Sequence, residues 1–172
     1  MGTFKSASRK ISRIQDRLKE NVDDAVERSA QRITLEAVNN LRLNDTIATK
    51  TLIASTGYEK KSSSPNISYT IGSEADHAKY VEFGTGIYNV SSEPKFTFKA
   101  PKYVSHSEIR TWIEAKNIRP YSQGMDKRDL SYVIADDIEN TGTPRQPYLR
   151  PAYISERPNL TRGIIQAVKQ SI

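Results

Sequence analysis

The chain has 172 residues, a formal net charge of +6 and no cysteine. This length suits one domain with appendages and is short for two full domains. The lack of cysteine excludes disulfides and thiolate metal sites within the chain. An apolar fraction of 36% and a mean hydropathy of −0.65 are low for a compact monomer, so we expect a partner to complete part of the core. No apolar run suits a signal peptide or a membrane span, which predicts a soluble, cytoplasmic product.

The charge alternates in sign along the chain. Residues 1–20 carry six Lys or Arg against two acids, residues 21–93 seven against ten, and residues 94–130 eight against four. Residues 131–142 then contribute three acids, and residues 143–172 carry five basic residues against one Glu. A subunit that meets its neighbours through complementary patches would show this pattern, although simple solubility explains it as well.

One long amphipathic helix is predicted from Ser6 to about Leu43, because apolar residues recur every three or four positions without an intervening Gly or Pro. It would be roughly 50 Å long, so part of it should reach beyond its own domain. Its first third is basic and would lie against a neighbouring subunit or near nucleic acid, whereas a solvated helical face is the simpler alternative. The basic residues singled out are Arg9, Lys10, Arg13 and Arg17.

A β-hairpin is predicted after a stop at Asn44-Asp45. Its first strand lies within residues 51–60, its turn at residues 62–66 and its second strand at residues 67–71. A short helix from Glu74 to Glu82 should follow, broken by the glycines at 84 and 86. Residues 87–104 are expected to form a loop with one short strand around Phe96–Lys99.

Three further helices are predicted in the second half of the chain. Ser105 and Glu108 have the spacing of a capping box for a helix that runs to Asn117. Residues 126–140 form the next, and Gly142 stands where a helix end favours positive φ. The last begins near Tyr153, and Pro158 should kink or restart it. The predicted fold is therefore α+β and a single domain, with the long helix at 1–43 and, at 44–172, a small hairpin-based sheet packed with two or three further helices.

No catalytic constellation is complete. Gly84-Thr-Gly86 lacks the spacing of a phosphate-binding loop. His77 lies near Glu74, Asp76 and Glu82 in sequence, as in a metal-dependent nuclease, but one merely polar helical turn explains these residues too. A serine hydrolase is excluded because the nucleophile elbow is missing. The chain is thus expected to be no enzyme and to need no metal or cofactor.

Two short segments carry the most specific pattern. Tyr80-Val-Glu-Phe-Gly-Thr-Gly86 has aromatic rings on both sides of a carboxylate before a turn. The rings would dock into the sheet and Glu82 would accept hydrogen bonds from the following loop, although a plain helix end packing on the hairpin explains the segment equally well. Pro147-Tyr-Leu-Arg-Pro151 is predicted to be extended, since residues before proline avoid the α region. It would present Tyr148 and Leu149 on opposite sides, or act only as a stiff connector.

Together, and in this order, the segments resemble the head-tail joining, neck or tail-completion family of tailed bacteriophages. There a Tyr-x-x-Phe-Gly-Thr-like motif follows a hairpin, and a Pro-aromatic-Leu/x-Arg-Pro-Ala motif precedes the last helix. The resemblance covers roughly residues 45–155, and the long basic helix is its least diagnostic part. Two residues depart mildly from the family pattern. Asn117 stands where glycine is expected, and Tyr148 stands where phenylalanine is commoner. The structural motif comprises Tyr80, Glu82, Phe83, Gly84, Thr85 and Gly86.

The resemblance implies a structural virion protein that forms a sixfold or twelvefold ring and links the capsid portal or connector to the tail tube. Its implied partners are further copies of itself, head-completion or connector proteins, and tail terminator or tail tube proteins. Contact with packaged DNA in the channel is also implied, and membrane contact is not. The implied location is the head-tail junction of the virion, after assembly in the host cytoplasm. The residues expected to contact partners are Pro147, Tyr148, Leu149, Arg150 and Pro151, with Arg9, Lys10, Arg13 and Arg17. A basic DNA-binding accessory protein is the alternative.

Overall fold

The computed structural model describes residues 2–44, 49–61, 66–89 and 94–172. The elements in chain order are α1 (Gly2–Asn44), α2 (Thr49–Ser55), β1 (Thr56–Lys60), β2 (Tyr69–Ser73), α3 (Ala78–Phe83), α4 (His106–Ala115), α5 (Lys127–Thr141) and α6 (Leu149–Ser171). Single 3-10 turns lie at Gly86–Tyr88 and Pro94–Phe96. The predicted α+β class, with a long N-terminal helix and a small antiparallel sheet, is confirmed.

The contacts group the chain into two compact units. In the first, α1 presents one stripe to the hairpin and another to α6. Strands β1 and β2 pair antiparallel, with Tyr58 opposite Ile71. The Tyr69 hydroxyl donates to Asp23 of α1 at 2.9 Å, and Lys60 also binds the Asp23 carboxylate. This ties both strands to the same turn of α1.

Helix α6 runs antiparallel to α1 within the same unit. The Asn40 amide donates to the Tyr148 carbonyl at the start of α6, and the Asn21 amide donates to Ser171 at its end. Gly163 allows close approach midway, since a Cβ there would lie 3.7 Å from that of Ala25. Helix α6 therefore covers α1 only from about residue 21 to residue 40.

The second unit has its own core between α4 and α5. Four buried residues form it, and Val104, Trp112, Ile118, Met125, Ile134 and Ile138 pack around them. The four are Ile109, Ile113, Leu130 and Ala135. At α4 the structure shows one half of the predicted capping box, in which the Ser105 hydroxyl accepts from the Glu108 backbone amide. Asp126 and Asp129 form a reciprocal capping box at the start of α5. Both helix starts thus satisfy backbone donors that would otherwise lack partners.

Several predicted elements differ from the structure. Thr51–Ser55 is helical rather than strand, because one helical turn buries Leu52 completely and this outweighs local β propensity. Phe96 lies in a 3-10 turn, and Phe98 pairs with a loop through the Gly86 amide rather than with a strand. Most of the predicted hairpin turn, residues 62–65, lies outside the described residues. Helix α6 starts earlier than predicted and continues through Pro158.

Candidate assembly surfaces

The Tyr80–Gly86 motif forms the end of α3 and the turn after it. Its aromatic rings pack on the loop that follows: Phe83 stacks on Phe96 with centroids 4.4 Å apart, and Tyr80 meets Phe98 edge to face at 5.0 Å. The Asn89 side-chain amide fixes this loop by donating to three backbone carbonyls, those of Phe83, Gly84 and Phe96. The rings therefore find their partners in Phe96 and Phe98, where the sequence had suggested the sheet.

The same motif is bound to the segment that leads into the second motif. The Thr85 amide donates to the Thr143 carbonyl at 3.0 Å, and the Thr143 amide donates back to the Thr85 hydroxyl at 2.8 Å. Farther along, the backbone amide of Gln146 donates to the backbone carbonyl of Val81 at 2.7 Å. We call residues 80–86 together with Thr143 and Gln146 the clasp. It joins two segments that lie about sixty residues apart in the sequence.

Two glycines make the clasp possible. Gly86 has φ +59 and Gly142 has φ +98, the left-handed region that favours glycine. A Cβ on Gly86 would lie 2.1 Å from the Thr141 carbonyl oxygen, and one on Gly142 would lie 2.2 Å from that of Thr85. The two backbones therefore cross at a distance that no other residue type permits.

The second motif is not extended, contrary to the sequence prediction. Helix α6 begins at Leu149, so Leu149, Arg150 and Pro151 form its first turn. Proline is tolerated there because amides of the first turn have no intrahelical acceptor. Tyr148 is fully buried, whereas Arg150 and Pro151 are exposed. Pro147 and Leu149 are partly buried. Of the contact residues expected here, the structure thus leaves Arg150 and Pro151 most accessible.

The basic residues of α1 lie beyond the part that α6 covers. Arg9, Lys10, Arg13 and Arg17 are all exposed. The apolar residues between them are only partly buried, and Ile11 is 57% exposed. We call residues 6–20 the arm. Its Ile11, Ile14 and Leu18 form a stripe along one helical face.

A buried carboxylate lies between α1 and α6. Glu156 accepts from the Ser29 hydroxyl at 3.0 Å and from the Asn159 amide at 2.9 Å. Arg32 completes the network with a 3.4 Å ion pair to Glu156. A polar cleft beside it is lined by Arg28, Arg32 and Arg162 among other residues. Hydrogen-bond donors thus surround the only acid of the C-terminal thirty residues.

The titratable groups of the first unit form one further cluster. Hydrogen bonds from Lys60 and then Tyr69 hold the pKa of Asp23 below its ordinary value of 3.8. The same contact with Asp23 raises the pKa of Lys60. Nothing in the sequence pointed to this cluster, because its members lie up to 46 residues apart. The sequence analysis also missed Glu156, and the small residues Ala152, Gly163 and Ala167 on the same side of α6 were the signal that could have found it.

The residues weighed for metal chemistry do not converge in the described part of the chain. His77 is the N-cap of α3, whereas His106 is the first residue of α4 and its ring packs, tilted, against Tyr132 with centroids 4.2 Å apart. Over residues 2–44, 49–61, 66–89 and 94–172, no group of three or more His, Asp or Glu side chains could hold a metal ion. Among these same residues, no helix has both the length and the apolarity needed to cross a bilayer.

One comparison with known proteins found a family to which part of the chain is similar. Residues 5–84 match the model of the HK97-gp10-like family, described as "Bacteriophage HK97-gp10, putative tail-component". Searches of the curated proteins and of the solved structures found no match. The matched range includes the long helix, the least diagnostic part of the resemblance, and it ends inside the first motif at Gly84. The resemblance to a phage family is confirmed, since residues 5–84 of the chain are similar to the HK97-gp10-like family.

Proposed function

We propose that this chain is a structural subunit of the phage neck, a tail-completion or head-tail connector protein. Copies form a ring, sixfold or twelvefold, that links the capsid portal or connector to the tail tube. The similarity of residues 5–84 to a family described as a putative tail component supports a role in the virion. The remaining partners are head-completion proteins on one side and tail terminator or tail tube proteins on the other. The subunit assembles in the host cytoplasm and has no catalytic role.

The exposed arm is the observation that carries this proposal. Most helical stability in proteins comes from packing of an apolar face, and a short isolated helix is marginal in water. Most of residues 6–20 lie beyond the contact between Asn21 and Ser171 at the end of α6, yet they present Ile11, Ile14 and Leu18 with basic residues around them. A neighbouring subunit or partner ring would bury this stripe and pair the charges. Arg150 and Pro151 are the second accessible contact, at the start of α6.

The clasp has a different role in the proposal. Its residues bond to one another through backbone and hydroxyl groups, and Glu82 and Thr85 are buried. It holds the fold of the subunit rather than a partner. Substitutions in the clasp should therefore impair folding first and assembly as a consequence.

Complementation of a phage that lacks this protein tests the proposal. Without the chain, we expect filled heads and finished tails that remain unjoined in electron micrographs. Alanine at Arg9, Lys10, Arg13 and Arg17 should leave the free chain folded and reduce the fraction of joined particles at least tenfold, roughly the loss of 1.4 kcal/mol in one contact. A matched control replaces the exposed Lys99, Lys102, Arg110 and Arg119, with the same charge change. Joined particles at the normal frequency without the chain would overturn the proposal.

A basic DNA-binding accessory protein is the second candidate. The arm supports it, since residues 1–20 carry six basic residues against two acids and Lys and Arg supply most of the affinity for phosphate backbones. Binding of the purified chain to duplex DNA, measured from about 50 to 200 mM salt, separates the two candidates. A steep loss of affinity with salt favours DNA binding, whereas no measurable affinity favours the neck subunit.

A further inference from the structure

Helix α6 is apolar on the face that points away from α1. The face toward α1 carries Ala152, Glu156, Gly163 and Ala167, together with the partly buried Leu149 and Leu160. The opposite face carries Ile154, Pro158, Ile165, Val168 and Ile172, and it is open. Ile154 is 58% exposed and Ile165 is 50% exposed. An apolar stripe that stays exposed along a helix in this way marks an interaction surface.

Arginines flank that apolar face. Arg157 and Arg162 are exposed, and both line the shallow groove that Tyr153, Ile154 and Pro158 form along α6. We call Tyr153, Ile154, Pro158 and Ile165, with these two arginines, the α6 face. Its charge is wholly positive.

The outer face of α5 has the complementary character. Asp129, Tyr132, Val133 and Asp136 recur at helical spacing on the side opposite the core residues Leu130 and Ala135. Tyr132 and Val133 are 45% and 43% exposed. Asp136 and the adjacent Asp137 are exposed, and no Lys or Arg within the described residues forms an ion pair with either. We call Tyr132, Val133, Asp136 and Asp137 the α5 face.

We propose that the α6 face of one copy binds the α5 face of the next copy. This pairing rests on the proposed ring and names the two surfaces that form it. Each face combines exposed apolar side chains with charge, and the charges on the two faces have opposite sign. Because the two faces are different, the contact is heterologous, the type that generates rings when the rotation closes. The aromatic rings of Tyr132 and Tyr153 would anchor it, as tyrosines often do at interfaces.

Cysteine cross-linking tests the pairing directly, because the chain has no cysteine of its own. Val133→Cys and Ile165→Cys are made in separate chains, mixed, and assembled into particles in the complemented phage. Oxidation should give a disulfide-linked dimer only when both variants are present. The matched control pairs Val133→Cys with Thr70→Cys, an exposed position on β2, and should give none. Dimer from the Val133→Cys chain alone would indicate a symmetric contact and overturn the pairing.

Charge reversal provides an independent test. The measured quantity is the amount of the full chain that sediments with assembled particles, which reports its incorporation. Asp136→Arg and Arg157→Asp should each reduce incorporation at least about tenfold, and the double variant should recover most of it, as coupled contact residues do. Incorporation of several copies without the cross-link and without this recovery overturns the pairing alone. If each particle contains only one copy of the chain, no ring exists, and this result overturns the ring and the pairing together. Binding of the α6 face to a different virion protein, seen as a cross-link of Ile165→Cys to that protein, also overturns the pairing.

Discussion

Gly86 and Gly142 lie where two backbone segments cross, and this contact limits what the clasp tolerates. Both have positive φ, and a side chain at either would meet a backbone carbonyl at little more than 2 Å. Backbone cannot move aside as a flexible side chain does. The two positions therefore test whether the clasp is part of the fold.

Gly142→Ala should lower the free energy of unfolding by at least about 3 kcal/mol, because backbone strain adds to the overlap with Thr85. Gly124→Ala is the matched control, since Gly124 also has positive φ but nothing lies within 4 Å of its Cβ position. We expect that control to cost only about 1 kcal/mol. Urea unfolding of both variants gives the comparison. Equal losses would show that the clasp relaxes freely, contrary to this account.

Asn117 occupies a position that suits glycine. Among the described residues it is the one non-glycine with positive φ, at +51. The backbone amide of Asn117 donates to the Glu114 carbonyl, and the backbone amide of Ile118 donates to the Ile113 carbonyl. This pair of hydrogen bonds is the Schellman pattern at a helix end. The departure from the family pattern noted in the sequence is therefore mild, because asparagine tolerates this conformation.

Asn117→Gly should raise the free energy of unfolding by a few tenths of a kcal/mol, and Asn117→Ala should lower it by about 1 kcal/mol. Thermal unfolding followed by circular dichroism measures both. An alanine variant as stable as the native chain would contradict the assigned helix end.

At the scale of elements, the buried Glu156 network fixes α6 against α1. Glu156→Ala should cost about 2 to 4 kcal/mol, since it leaves Ser29, Asn159 and Arg32 without their shared acceptor. Glu156→Gln keeps an acceptor oxygen and should cost less. Chemical denaturation of the two variants, with Glu108→Ala on the exposed face of α4 as control, checks this order. A loss no larger than that of the control would contradict the network.

The hairpin contact with α1 predicts a dependence of stability on acid. The Asp23 pKa is lowered in the folded chain by Lys60 and Tyr69, so its stabilising contribution is present above the unfolded value near 3.8. That contribution is lost as the pH falls through the lower, folded pKa. Asp23→Asn should therefore be less stable than the native chain at pH 6, and the difference should shrink below pH 3.8. A constant difference from pH 6 to pH 2 would contradict this assignment.

Periodicity and capping residues predicted the helices well, because those signals are local. The apolar repeat of α1, the Ser105 cap and the end at Gly142 all appear in the structure. Local sequence signals failed where contacts between residues distant in the sequence determine the secondary structure. Burial of Leu52 makes α2 helical, and Pro158 stays inside α6 because it lies on the exposed face, where water can hydrate the Ile154 carbonyl. The clasp partners Thr143 and Gln146 could not be predicted from local pattern.

At the scale of the whole molecule, the low apolar content of the sequence corresponds to three surfaces that no part of the described chain covers. The arm, the α6 face and the α5 face all leave apolar side chains exposed beside charge. Each would be covered in an assembly, which agrees with the similarity of residues 5–84 to a family of phage tail components. The alternating charge along the sequence separates the acids of residues 131–142 on α5 from the arginines of residues 143–172 on α6. Pairing between copies requires such separate surfaces of opposite charge.

A cryo-electron microscopy reconstruction of the head-tail junction from intact virions tests the central claim most directly. We predict a ring of this chain between the portal or connector and the tail tube, with the arm of each copy against a neighbouring subunit. A junction that is complete without density for this chain, in virions shown by mass spectrometry to be otherwise intact, would contradict the account.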